Sequence, residues 1–88
     1  MATLVHRPST PLRLGDTVYA AEVWAEQRAD GLWEGWIDFV PSDGGPVLRT
    51  GAETTQSNTD ALTYCATGLE PIYLDGALAR AIDHLRAA

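Results

Sequence analysis

The sequence predicts an α+β fold, a three-stranded antiparallel meander with two C-terminal helices packed on one face. Three observations predict it. Two stretches, one beginning at Thr17 and one from Leu32 to Val40, alternate apolar and polar residues with the period of a strand. Arg28-Ala29-Asp30-Gly31 lies between them as a turn signal, with Gly31 free to take positive φ. After Asn58 the apolar spacing changes to that of a helix.

In the first strand Tyr19, Ala21, Val23 and Ala25 share one face, and Val18, Ala20, Glu22, Trp24 and Glu26 share the other. In the second, Trp33, Ile37 and Phe39 form an apolar side, while Glu34, Trp36 and Asp38 form a mixed one. A three-residue loop Ala29-Asp30-Gly31 sets Val23 opposite Ile37 and Ala21 opposite Phe39. A two-residue loop would set Val23 opposite Asp38 and mix the faces. A slip of one residue is strongly disfavoured when one face is buried, so the three-residue loop is expected.

Pro41 to Pro46 is a second turn. A third strand is expected from about Val47 to Thr54, with Gly51 marking a bulge or bend. Pairing Phe39 with Leu48 puts Arg49 opposite Asp38. Leu62, Cys65, Ala66 and Leu69 then follow helical spacing, with Ser, Asn or Thr before them as the cap and Gly68 as the stop. Leu74, Ala77, Leu78, Ala81, Ile82 and Leu85 form the apolar stripe of a second helix. Asp75 near its start and Arg86 near its end suit the helix dipole. The two stripes need a partner, and the face of Tyr19, Val23, Ile37 and Phe39 is the available one.

The 88 residues leave room for one domain, residues 16–88. Residues 1–15 are expected to be a loosely structured arm, or a short strand around Leu12 to Leu14. A core this small is marginal and is often completed by a staple. The single cysteine, Cys65, excludes an internal disulfide. His6 and His84 lie near opposite ends, so a structural zinc is not expected, and no cofactor motif is present. The remaining staple is self-association, and a homodimer is expected.

The formal net charge is −6, and every basic residue is an arginine. That balance argues against nucleic-acid binding, which needs clustered positive charge. Neither a signal-peptide core nor a run of membrane-spanning length is visible. The expected location is the cytoplasm, and a free thiol suits a reducing compartment.

Trp24 beside Trp36 on the face away from the helices is the most informative feature. Each ring carries about 150–250 Å² of apolar surface. Exposed patches of this kind mark contact sites, and Trp and Arg are enriched at interface hot spots. With Glu22, Asp38 and Arg49 around them, the rings read as a protein-binding or dimer surface. The alternative is that the N-terminal arm covers the rings through Leu12 and Leu14. Glu22, Glu34 and Asp38 are the acid/base candidates there. A solvated face with Asp38 paired to Arg49 accounts for them more simply. Glu53, Thr55 and Gln56 lie in a polar run before a helix N-terminus, where backbone N–H groups can meet an anion or a partner's carbonyls. The plainer reading is a connection that satisfies its own backbone. Cys65 falls on the first helix's apolar stripe and is expected to be a buried structural thiol. Nothing marks a catalytic residue.

The segments Trp33-Glu34-Gly35-Trp36, Glu53-Thr54-Thr55-Gln56 and Gly68 to Leu78 are similar to stretches of small uncharacterised bacterial proteins, which bring no activity with them. The order of strands followed by a helix with a Thr-rich approach also resembles HicB-like antitoxins. That resemblance implies dimerisation and a protein toxin as partner in a small operon. The glycine-containing loop of those proteins is absent here and a second helix is appended, so no functional residue carries over. The leading expectation is a non-enzymatic protein-interaction module. A small ligand-binding protein or enzyme is the further alternative.

Overall fold

The computed structural model describes residues 1–87. The chain runs β1 (Thr3–His6), β2 (Leu12–Leu14), β3 (Thr17–Gln27), β4 (Trp33–Pro41), β5 (Leu48–Arg49), β6 (Thr54–Gln56), α1 (Thr59–Thr67) and α2 (Pro71–Ala87). The α+β class, the antiparallel sheet and the two C-terminal helices are as the sequence predicts. The strand count is not, because the sheet has six strands rather than three.

The six strands occupy four places across the sheet. β1 and β2 follow one another along the free edge of β3, pairing with its residues 23–25 and 17–19. On the other side, β5 and β6 follow one another along β4, at Asp38–Phe39 and at Trp33–Gly35. Each outer strand is therefore broken in two. Pro8 and Pro11 lie in the first break, and proline cannot donate to a ladder. Gly51 lies in the second.

The second break keeps its bonds to β4. Thr50 N–H donates to the Ile37 carbonyl at 3.0 Å. The Ile37 N–H donates to Thr50 Oγ1, also at 3.0 Å, so a side chain stands in for a ladder carbonyl. The Thr50 hydroxyl donates in turn to the Gly51 carbonyl. Glu53 N–H then returns to the Gly35 carbonyl at 2.8 Å. The two residues between them, Gly51 and Ala52, thus bulge from the strand while the ladder continues.

The central hairpin has the expected register, with Val23 opposite Ile37, Ala21 opposite Phe39 and Trp24 opposite Trp36. Arg28 N–H donates to the Leu32 carbonyl and Gly31 N–H to the Arg28 carbonyl, closing the three-residue loop. Gly31 has φ +87°, a conformation that other residues rarely adopt. Asp30 accepts from Leu32 N–H and fixes the turn from its side chain.

Register decides what is buried. Ala21, Val23, Ala25, Ile37 and Phe39 form the sheet side of the core, and Leu12 and Leu48 join them from the outer strands. α1 contributes Leu62 and Ala66, one turn apart, and α2 contributes Leu74, Ala77, Leu78 and Ala81. Asn58 caps α1 by accepting from Ala61 N–H at 2.8 Å. Pro71 begins α2, where its missing N–H costs nothing.

Two helical expectations need correction. Cys65 is exposed, because the i, i+4 pair Leu62 and Ala66 points down and puts Cys65 on the flank. Leu85 continues the arithmetic of the α2 stripe but is 56% exposed, so burial ends at Ile82. No helix among the described residues is long and apolar enough to cross a membrane.

Thr50→Val is expected to leave the buried Ile37 N–H without an acceptor and to destabilise by about 1–3 kcal/mol. Thr50→Ser keeps the acceptor and is expected to lose clearly less. Urea unfolding midpoints of the two variants check this, and equal losses would contradict it.

Candidate functional site

The outer face of the sheet is built by alternation. Once Val23 and Ile37 point inward, Glu22, Trp24 and Glu26 on β3 and Glu34, Trp36 and Asp38 on β4 point outward. Both helices lie on the opposite side. Leu4 of β1 stands opposite Trp24, so the central row of this face is Leu4, Trp24 and Trp36. The rings are half-buried by their neighbours. Leu12 is in the core on the other face and Leu14 is exposed, so neither lies over the rings.

On one side of the tryptophan row stands the pair Glu22 and Asp38. Each holds an arginine. Arg7 Nε donates to Glu22 at 3.2 Å. Arg49 forks onto Asp38, with Nε to Oδ1 at 2.7 Å and Nη2 to Oδ2 at 2.9 Å, the planar two-point geometry that suits a carboxylate. That hydrogen-bonded pairing raises the Arg49 pKa further and locks its charge. The Arg49 guanidinium also sits over the Trp36 ring, 5.1 Å from its centroid. Trp24 Nε1–H donates to Glu22 at 3.3 Å. Trp36 Nε1–H is shielded and meets no acceptor among the described residues.

On the other side stands Glu26 directly opposite Glu34. Like charges placed opposite one another destabilise a sheet. The N-terminal ammonium reaches Glu26 at 3.3 Å, and no arginine pairs with either carboxylate among the described residues.

The residues expected to act together thus divide into two groups. Glu22, Trp24, Trp36, Asp38 and Arg49 are contiguous on the outer face. Thr55 belongs with them, exposed on β6 opposite Glu34. Glu53 and Gln56 do not. Gln56 is opposite Trp33 and donates to Thr54 Oγ1 at 2.8 Å and to the Cys65 sulfur at 3.6 Å.

Glu53 turns toward α2 from the break between β5 and β6. Its side chain is only 13% exposed. Tyr73 Oη–H donates to it at 2.8 Å, Arg80 Nε donates at 3.2 Å, and Arg80 Nη2 makes a second, shorter bond. Arg80 also lies over the Tyr73 ring, 5.2 Å from its centroid. Burial pushes the Glu53 pKa up, but the bonds from Arg80 and Tyr73 outweigh it and hold the carboxyl below its ordinary range. Burial and the bond to Glu53 push the Tyr73 phenol up. Sequence reading missed Tyr73 and Arg80. Their seven-residue spacing, two turns along one helix face, was the available signal.

The chain matches no protein-family model, no curated protein sequence and no solved structure.

A carboxyl whose pKa is lowered on folding contributes stability in full above its unfolded value and loses it as pH falls through the lowered folded value. The wild-type melting temperature is therefore expected to fall more steeply than that of Glu53→Gln in thermal unfolding from about pH 7 to about pH 3. Parallel curves would contradict this.

Proposed function

We propose that the protein is a non-enzymatic, cytoplasmic protein-interaction module, a homodimer in the first instance, that docks through its outer sheet face. The observation that carries this reading is the Trp24–Trp36 pair, directly opposed on the face that the helices leave uncovered. The hairpin register turns both indoles outward, but it does not explain why side chains this bulky and apolar occupy that face. Docking does explain it, since bulky anchors ringed by polar groups are the anatomy of an interface centre.

One further feature supports it. Glu26 faces Glu34, and a partner that brings a cation to that pair relieves it. The neighbouring carboxylates favour binding over catalysis, because Glu22 and Asp38 are already tied to Arg7 and Arg49.

Trp24→Thr with Trp36→Thr is expected to keep the fold, since threonine suits a strand. The same double variant is expected to abolish association. Sedimentation velocity with far-UV circular dichroism reads both. A double variant that unfolds would make the rings part of the core. A wild-type monomer at high concentration that also co-purifies with no partner from its native cell would sink the reading.

A further inference from the structure

The core is not closed everywhere. A cleft of about 200 Å³ enters it between α1, the start of α2 and the inner face of the sheet. Val23, Ile37, Leu62 and Ala66 line it and are buried, so they form its floor. Leu69 and Tyr73 line it and are partly exposed, so they form its mouth. Gly35 also lines it, and its lack of a side chain lets Thr54 and Leu62 close tightly over the strand at that end of the cleft. A Cβ there would come within 3.2 Å of Thr54 Cγ2 and 3.3 Å of Leu62 Cδ1.

The cleft opens to solvent past Leu69 and Tyr73, and its lining is mostly apolar. An enclosed apolar cavity of about 150 Å³ is enough to hold benzene, which sets the scale for this one. We propose that this cleft is a binding site for a small, uncharged aromatic molecule, between benzene and indole in size. The cleft shares Trp36 with the outer face through its lining, but its floor and mouth lie on the helix side and its occupancy does not depend on the docking proposed for that face.

The exclusion of charge follows from the mouth. Glu53 lines the cleft, but Tyr73 and Arg80 occupy both of its oxygens. A buried ligand charge would find no free counter-charge and would lose its hydration without compensation. The Glu53–Tyr73–Arg80 cluster instead acts as a fixed wall, joining the sheet edge to α2 and holding the Tyr73 ring at the opening.

Titration of methyl-labelled protein with toluene and with indole, followed by carbon–proton correlation spectra, tests this. Saturable shifts are expected for the Val23, Ile37, Leu62 and Leu69 methyls, with Val18 and Val40 on the outer face unmoved. Benzoate is expected to produce no such shifts. Ala66→Leu fills the floor and is expected to abolish the response. Leu69→Trp, which plugs the mouth from a partly exposed position, does the same if Ala66→Leu fails to fold. The proposal is overturned if no saturable shift occurs, if benzoate binds as well as toluene, or if both folded variants respond like wild type. Shifts of the same methyls with protein concentration alone would assign the cleft to a second copy of the chain, and would equally overturn it. None of these outcomes touches the Trp24–Trp36 surface, which the double threonine variant tests separately.

Discussion

The loop Ala29-Asp30-Gly31 decides which side of the β3–β4 ribbon meets the helices, and the remaining contacts depend on that choice. Three loop residues, with Gly31 at positive φ, pair Val23 with Ile37 and Ala21 with Phe39. Those side chains then share one face with nothing charged among them. One residue fewer would put Asp38 opposite Val23 and send a carboxylate under α1 and α2. Burying a lone carboxylate is prohibitive, so the hairpin has one workable register. The same register throws Trp24 and Trp36 outward. The outward, half-buried aromatic row is therefore a consequence of core formation, and its bulk on that face is what asks for a functional account.

The second constraint is the break in the edge strand along β4. Thr50 lends its hydroxyl to the Ile37 N–H, and Glu53 N–H rejoins the ladder at Gly35. The interruption therefore leaves no buried backbone group stranded at Ile37. It also turns the Glu53 side chain toward Tyr73 and Arg80 on α2. That cluster adds a polar link between the sheet edge and α2 to the apolar packing of Leu74, Ala77, Leu78 and Ala81. Beside it the core opens into the cleft, over the small side chain of Ala66. One device thus serves the ladder, the helix and the opening.

Much of the hairpin was legible in the sequence because three independent signals agreed there. Alternation, turn chemistry and the separation of charge from the core each select the same pairing, down to Arg49 opposite Asp38. The outer strands were not legible for the converse reason. β1 and β2 are four and three residues long and flank two prolines, so no alternation accumulates. Gly51 announced a bend but not that β5 and β6 would both re-pair with β4. Cys65 was misplaced because a stripe of period 3–4 fits two faces of a nine-residue helix, and packing, not periodicity, chose Leu62 and Ala66. The Glu53 cluster joins residues 20 and 27 positions apart, which only the path of α2 past the break brings together.

The two surfaces of the sheet have different characters. The inner one is apolar and closed except at one cleft. The outer one is aromatic at its centre, paired with arginine on one side and left with opposed glutamates on the other. Everything proposed for the outer face requires that its two indoles stand away from the helices and beside each other. Nuclear Overhauser contacts from the Trp24 and Trp36 ring protons measure that directly. The account predicts contacts between the two rings and from Trp24 to Leu4, with none from either ring to the methyls of Leu62, Leu74 or Leu78. Contacts from either ring to those helix methyls would contradict it.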